Sequence, residues 1–208
     1  MMVNWLYNNW AKLSGLLAII VTVLIYIFIK PDNFLLFLIW IQIPIYLLHQ
    51  FEEHNWNGFK NYVNRNVFKV KENDFPLNDK IIFWVNIPII WILMPISSGL
   101  SYLNITFGLW IPYFAVFNSL THVIVSVWNQ ERNPGLLVGL ILGIPVGIYT
   151  LILFYSYIQI PVLISALSIF FAILLHIIVF GFIRMNYKKQ SNAGYFTFNL
   201  DSNLDFKL

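Results

Sequence analysis

Cysteine is absent from the 208-residue chain. Disulfides, thiolate metal sites, iron–sulfur clusters and a cysteine nucleophile are thereby excluded. Charge is scarce: Asp, Glu, Lys and Arg make up 10 % of the residues, against about 25 % in ordinary soluble domains. The sequence also has no convincing internal repeat and no low-complexity linker. What it does have is apolar: 59 % of residues are hydrophobic and the mean hydropathy is +0.73. A soluble globule of this size has no interior large enough to hide so much apolar surface, so a soluble enzyme is excluded. Disorder is excluded as well, because it needs low hydrophobicity and high charge. An integral membrane protein remains.

A hydrocarbon core about 30 Å thick requires roughly 20 apolar residues in a helix. Six stretches meet this requirement, at about 13–29, 34–49, 81–100, 106–128, 136–157 and 160–183. Backbone groups inside a bilayer must be satisfied within the segment, so all six read as helices. The expected fold is all-α, a polytopic bundle of about six transmembrane helices over 1–185 with a polar tail at 186–208. Pro44, Pro88, Pro95, Pro112, Pro145 and Pro161 fall inside these stretches and are tolerated there as kinks. The first run is followed by Lys30-Pro31-Asp32 rather than a small-residue cleavage site. It therefore reads as a retained span and not a signal peptide.

Six spans put Lys12, Lys60, Arg65, Lys69, Lys71, Lys80, Arg132, Arg184, Lys188, Lys189 and Lys207 on one side and only Lys30 on the other. The positive-inside rule makes the basic side, with both termini, cytoplasmic. Trp5, Trp10, Trp56, Trp84 and Trp128 are expected at that interface as an aromatic belt. The expected location is the cell membrane, crossed several times. The basic loop at 50–80 is explained by topology and by contact with anionic lipid. No basic motif or stacking platform points to nucleic acid. The oligomeric state is not readable.

The chain has four histidines, His49, His54, His122 and His176. Three inward-running helices bring His49, His122 and His176 to similar depths. Ionisable residues inside a membrane are costly and mark candidate functional sites. In His49-Gln50-Phe51-Glu52-Glu53-His54, Glu52 and Glu53 stand at i+3 and i+4 from His49, so the three share one face of a helix. Gln42 and Tyr46 continue that face, whereas His54 points away and reads as a solvated surface residue. Imidazole and carboxylate on one face can ligate a divalent metal or form an acid–base set. Asn118 and His122 repeat the i, i+4 spacing, the amide being placed to orient a ligand. Ser165 and Ala172 lie on the stripe of His176, where small residues permit close helix approach. Asn129 to Gly135 form a polar turn, with Asn133 a candidate cap for the next helix and Glu131–Arg132 a solvated or locally paired stretch.

The His49-x-x-Glu52-Glu53 string resembles the signature of the HXXEE-domain family of small bacterial integral membrane proteins. Asn118-x-x-x-His122, the turn Asn133-Pro134-Gly135 and His176 in the last helix follow that family's pattern in the same order. The resemblance spans about residues 35–185. It implies a multi-helix membrane fold and an enzymatic site, without supplying a reaction. A fainter similarity links the Glu-Glu pair and later histidines to CAAX-type intramembrane glutamate proteases. The chain departs from that pattern: Asn57 stands where an arginine would follow Glu53, and Asn118 leads the His122 motif.

The leading expectation is a metal-dependent membrane hydrolase with its site near the cytoplasmic leaflet. His49, His122 and His176 would hold a divalent ion with Glu52 or Glu53 as a further ligand. Zinc is favoured, and iron would use similar ligands. The other glutamate would act as general base, with Asn118 orienting a ligand or oxyanion. The expected partners are membrane lipids and an amphiphilic, lipid-like or prenylated substrate. The alternatives are a metal-free glutamate protease and a non-enzymatic proton or metal-ion transporter.

Overall fold

The computed structural model describes residues 2–29, 33–55, 58–70 and 76–192. Among the described residues all regular structure is helical. The helices are α1 (Met2–Phe28), α2 (Phe34–His54), α3 (Gly58–Asn66), α4 (Asp79–Leu100), α5 (Trp110–Asn129), α6 (Leu136–Tyr157) and α7 (Val162–Asn192). All but α3 belong to the six segments long and apolar enough to cross a bilayer, one for each expected span. Lys30, Trp56, Lys71 and the tail from 193, including Lys207, lie outside the described residues.

Three helix starts are set by asparagine. The side-chain oxygens of Asn33 and Asn78 accept from the backbone N–H of Leu36 and Ile81 at the heads of α2 and α4. Asn104 does the same for Thr106 in the 3-10 turn Ile105–Gly108 leading to α5. Each such cap stabilises its helix by about 0.5–2 kcal/mol.

Three prolines explain where the helices lose α geometry. A proline ring strikes the carbonyl four residues before it, which for Pro44, Pro95 and Pro145 belongs to Trp40, Trp91 and Ile141. α2 breaks for one residue at Ile41, directly after Trp40. Trp91 and Ile141 lie in the π-helical turns Ile87–Leu93 and Gly139–Gly143, whose wider winding relieves the clash. Pro161 precedes α7 instead of lying inside it, because a proline is tolerated at or before a helix start.

The main core joins Ile39, Ile43 and Leu47 of α2 to Met94, Ile111, Phe114 and Phe154. α6 approaches α5 closely along Gly139, Gly143 and Gly147, which face Ser119 and Val116. A Cβ at Gly147 would lie 2.7 Å from Val116 Cγ2, so this row lets the two backbones meet, as small residues do between membrane helices. The outward faces of α1, α6 and α7 carry exposed Ile19, Val23, Ile141, Ile152, Leu163 and Phe170, an apolar surface suited to acyl chains.

A second apolar cluster, with Trp10, Tyr62, Leu77, Ile82 and Phe83, closes one end of the bundle. Trp10 packs with its ring 5.2 Å from His54, Arg132 bonds to Glu52, Arg65 pairs with Glu131 and Phe68 packs 5.1 Å from Tyr187. These contacts bring the first turns of α1, the end of α2, α3, the turn 130–135 and the end of α7 together. This is the end that holds the basic residues. Trp5, Trp84 and Trp128 are exposed, as a belt requires, but Trp10 is 3 % exposed and belongs to the interior. It is drawn inward by Phe83 and Trp91, whose rings lie 6.3 and 6.4 Å from its own.

Candidate functional site

The last two turns of α2 present His49 and Glu53 to α5, which presents His122. All three are buried. One oxygen of Glu53 lies 3.5 Å from His49 Nε2 and the other 3.5 Å from His122 Nε2. One ligand atom from each residue falls within 4.8 Å of the others. Two ligands about 2.0–2.1 Å from a tetrahedral zinc stand roughly 3.4 Å apart; the two 3.5 Å spacings match this, each through a different oxygen, and the set of one atom per residue must draw together from 4.8 Å to hold one ion.

The orientation of the two imidazoles strengthens that fit. His122 Nδ1 donates to Asn133 Oδ1 at 2.7 Å, and Asn133 Nδ2 returns a bond to the His122 carbonyl at 2.7 Å. Gly135 packs closely against the rings of both His49 and His122. The turn 130–135 thus bonds the far side of His122 and backs the His49 ring, while each Nε2 lies toward Glu53. Metal-binding histidines are fixed in this way, with the second ring nitrogen bonded to a carbonyl or carboxylate. Gly135 adopts φ +91°, and a Cβ on it would lie 2.7 Å from His49 Cε1 and 2.8 Å from His122 Cε1. Only glycine meets both demands, the left-handed backbone and the close approach.

Asn118 also reaches the site, with Nδ2 3.0 Å from His49 Nε2. Its amide must release that nitrogen before a metal can take it, and is then free to hold a ligand oxygen. Tyr46 packs its ring 5.4 Å from His49 and Gln42 bonds to Thr150 Oγ1, so the face read from the helical wheel does point into the bundle.

Four placements differ from the sequence expectation. Glu52 does not join the group formed by His49, Glu53 and His122. It accepts from the backbone N–H of Leu137 at 3.1 Å and Val138 at 2.8 Å, and from Arg132. It caps α6, where unpaired N–H groups and the helix dipole favour a carboxylate. His54 is not a solvated surface residue. It is 9 % exposed, lies 3.1 Å from Glu53 Oε2, and packs between Trp10 and Phe59. Asn133 does not cap the next helix but orients His122. Glu131 is paired across the fold, with Arg65 and Asn66 of α3.

His176 stands apart from the ligand group. Its Nδ1 bonds the Ala172 carbonyl of its own helix at 2.8 Å, and its ring packs 4.5 Å from Phe114. It does line the same cavity. That cavity, of about 210 Å³, has Glu53, His54, Asn118 and His122 at its polar end and Ile89, Ile90, Phe114, Val179 and Phe180 along its apolar walls. Val67 and Phe180, both more than half exposed, belong to its lining, so it reaches the bundle surface.

A family model described as a protein of unknown function with an HXXEE motif matches residues 40–150. The chain belongs to the HXXEE family. In this member the motif divides its labour: His49 and Glu53 face the buried centre, while Glu52 secures the helix that follows the covering turn. No curated protein and no solved structure matches the chain significantly.

Proposed function

We propose that this HXXEE protein is a membrane-embedded, metal-dependent hydrolase acting on an amphiphile. The observation that carries the reading is the turn 130–135, which bonds the far side of His122, packs Gly135 against His49, and leaves both Nε2 atoms toward one buried carboxylate. His49, His122 and Glu53 would hold the ion, zinc by preference; iron would use the same donors. Three protein ligands and an open position are the hallmark of a catalytic zinc site. The bound ion supplies a water with a pKa of about 7.

With Glu52 committed to α6, Glu53 would serve twice, one oxygen toward the ion and the other taking a proton from the attacking water. Asn118 holds the oxygen of the bond to be cleaved. The apolar walls of the cavity receive the substrate's chain and keep bulk water from it. An ester, amide or phosphate linkage on a lipid-like or prenylated molecule suits such a site. The positive-inside rule places it at the cytoplasmic leaflet of the cell membrane.

A metal-free glutamate protease would use the same cavity, with Glu53 activating water directly. Elemental analysis of detergent-purified protein separates the two. The expected result is about one equivalent of zinc or iron, falling to background in His49→Ala and His122→Ala. Background metal in the unaltered protein would remove the proposal. A transporter draws less support, since the buried polar groups toward the other end, Gln42, Ser98, Ser101 and Thr150, include no ionisable side chain.

A further inference from the structure

The large cavity is apolar beyond its polar end, so it is poorly suited to supply water. A second, small chamber lies on the other side of His54. It is about 20 Å³ and is lined by Tyr7, Asn8, Lys60, Asp79, Trp10 and Ala11, with His54 and Ile82 shared between its wall and that of the large cavity. A volume above about 10–15 Å³ with polar partners suffices for one water. Lys60 Nζ bonds Asp79 Oδ1 at 3.0 Å on its rim. Tyr7, Asn8 and Asp79 also line an open recess with Asn4, Asn78 and Lys80 at the bundle surface. The chamber therefore lies between the aqueous surface and the His54 ring.

His54 supplies an independent observation. Its Nε2 lies 3.1 Å from Glu53 Oε2, and both ring nitrogens are buried without a hydrogen-bond partner among the described residues. A buried unpaired ring nitrogen costs about 1–3 kcal/mol, and a water in the chamber would remove that cost. We propose that the chamber binds a water on His54 and is an aqueous port to Glu53, distinct from the apolar cavity that takes the amphiphile. Two reactants of opposite polarity then reach one carboxylate from two directions. This deepens the hydrolase reading and rests on it for the use of the water, but the port itself is testable without turnover or metal.

The absence of cysteine makes single-cysteine labelling clean. Ala11 and Ala18 are both buried on α1, 7 % and 5 % exposed, but only Ala11 lines the chamber. With dilute hydrogen peroxide, an oxidant close to water in size, Ala11→Cys is expected to be oxidised and Ala18→Cys to be protected. A second measurement uses the unaltered chain. Radiolytic labelling oxidises side chains next to held water. Trp10 borders the chamber and Trp110 borders none of the three cavities described above, yet they are 3 % and 5 % exposed. Trp10 is expected to be oxidised and Trp110 spared. Protection of Ala11→Cys equal to that of Ala18→Cys, or equal sparing of both tryptophans, overturns the port. Background metal in the elemental analysis would instead remove the metal-hydrolase reading and leave both labelling results as they stand.

Discussion

Gly135→Ala is the sharpest single test of the way the turn 130–135 supports the centre. At φ +91° an L-residue meets a left-handed backbone penalty of about 1–2 kcal/mol. The new methyl would also lie 2.7 Å from His49 Cε1 and 2.8 Å from His122 Cε1, against a favourable carbon–carbon separation of about 3.5–4.0 Å. Each ring must then retreat by about 0.7 Å or more, and overpacking of this kind costs about 1–3 kcal/mol. The sum is a loss of about 2–5 kcal/mol in stability. Ligand distances tolerate deviations of only about 0.2 Å. Zinc affinity should therefore fall by about 10–100-fold, as when an outer support of a metal histidine is lost. Thermal unfolding in detergent reads the first quantity and competition with a chromogenic chelator the second. Gly181→Ala on α7 is the matched control, because a Cβ there meets nothing within 4 Å. It should be neutral or stabilising by up to about 1 kcal/mol. A Gly135→Ala protein with native melting temperature and native zinc affinity would refute the reasoning.

Two further outcomes follow from the division of the motif. Glu52→Ala should lower stability by about 1–2 kcal/mol, the worth of a lost helix cap, while metal content stays at the native level. Loss of metal in that variant would return Glu52 to the ligand set. His176→Ala should also retain metal, since its ring is bonded to its own helix. Background metal in His176→Ala would show that the last helix supplies a ligand after all.

The spans were legible because apolar run length is a direct consequence of bilayer thickness. Their ends were less so. α1 begins at Met2 rather than near residue 13, because Asn4, Asn8, Asn9 and Lys12 interrupt the hydropathy without interrupting the helix. α2 continues through Glu52, Glu53 and His54 for the same reason. The pairing of His49 with Glu53 was readable because it is local, one helical turn apart. His54 was misread because a helical wheel gives direction but not neighbours. Its face is covered by Trp10 from α1 and Phe59 from α3, and α3 carries too few apolar residues to announce itself. The role of Asn133 was hidden because its partner lies eleven positions earlier across a chain reversal. The Asn-Pro-Gly turn signalled the reversal, but not what the asparagine would hold. Glu52 illustrates the converse: a correct helical face carried two carboxylates, and packing against the start of α6 claimed one of them.

The supports of the centre are spread along the order of synthesis. His49 and Glu53 are made with α2, His122 with α5, and the bracing Asn133 and Gly135 only afterwards. Domains emerge N-terminal part first during translation. A nascent chain that has inserted α2 therefore holds an acidic side chain at the membrane with none of the α5 or turn partners that later enclose it. Completion of the turn before α6 resolves that exposure in one event. A chain that ends before the turn therefore holds His49 and Glu53 without the Asn133 and Gly135 contacts that back the centre in the longer chain.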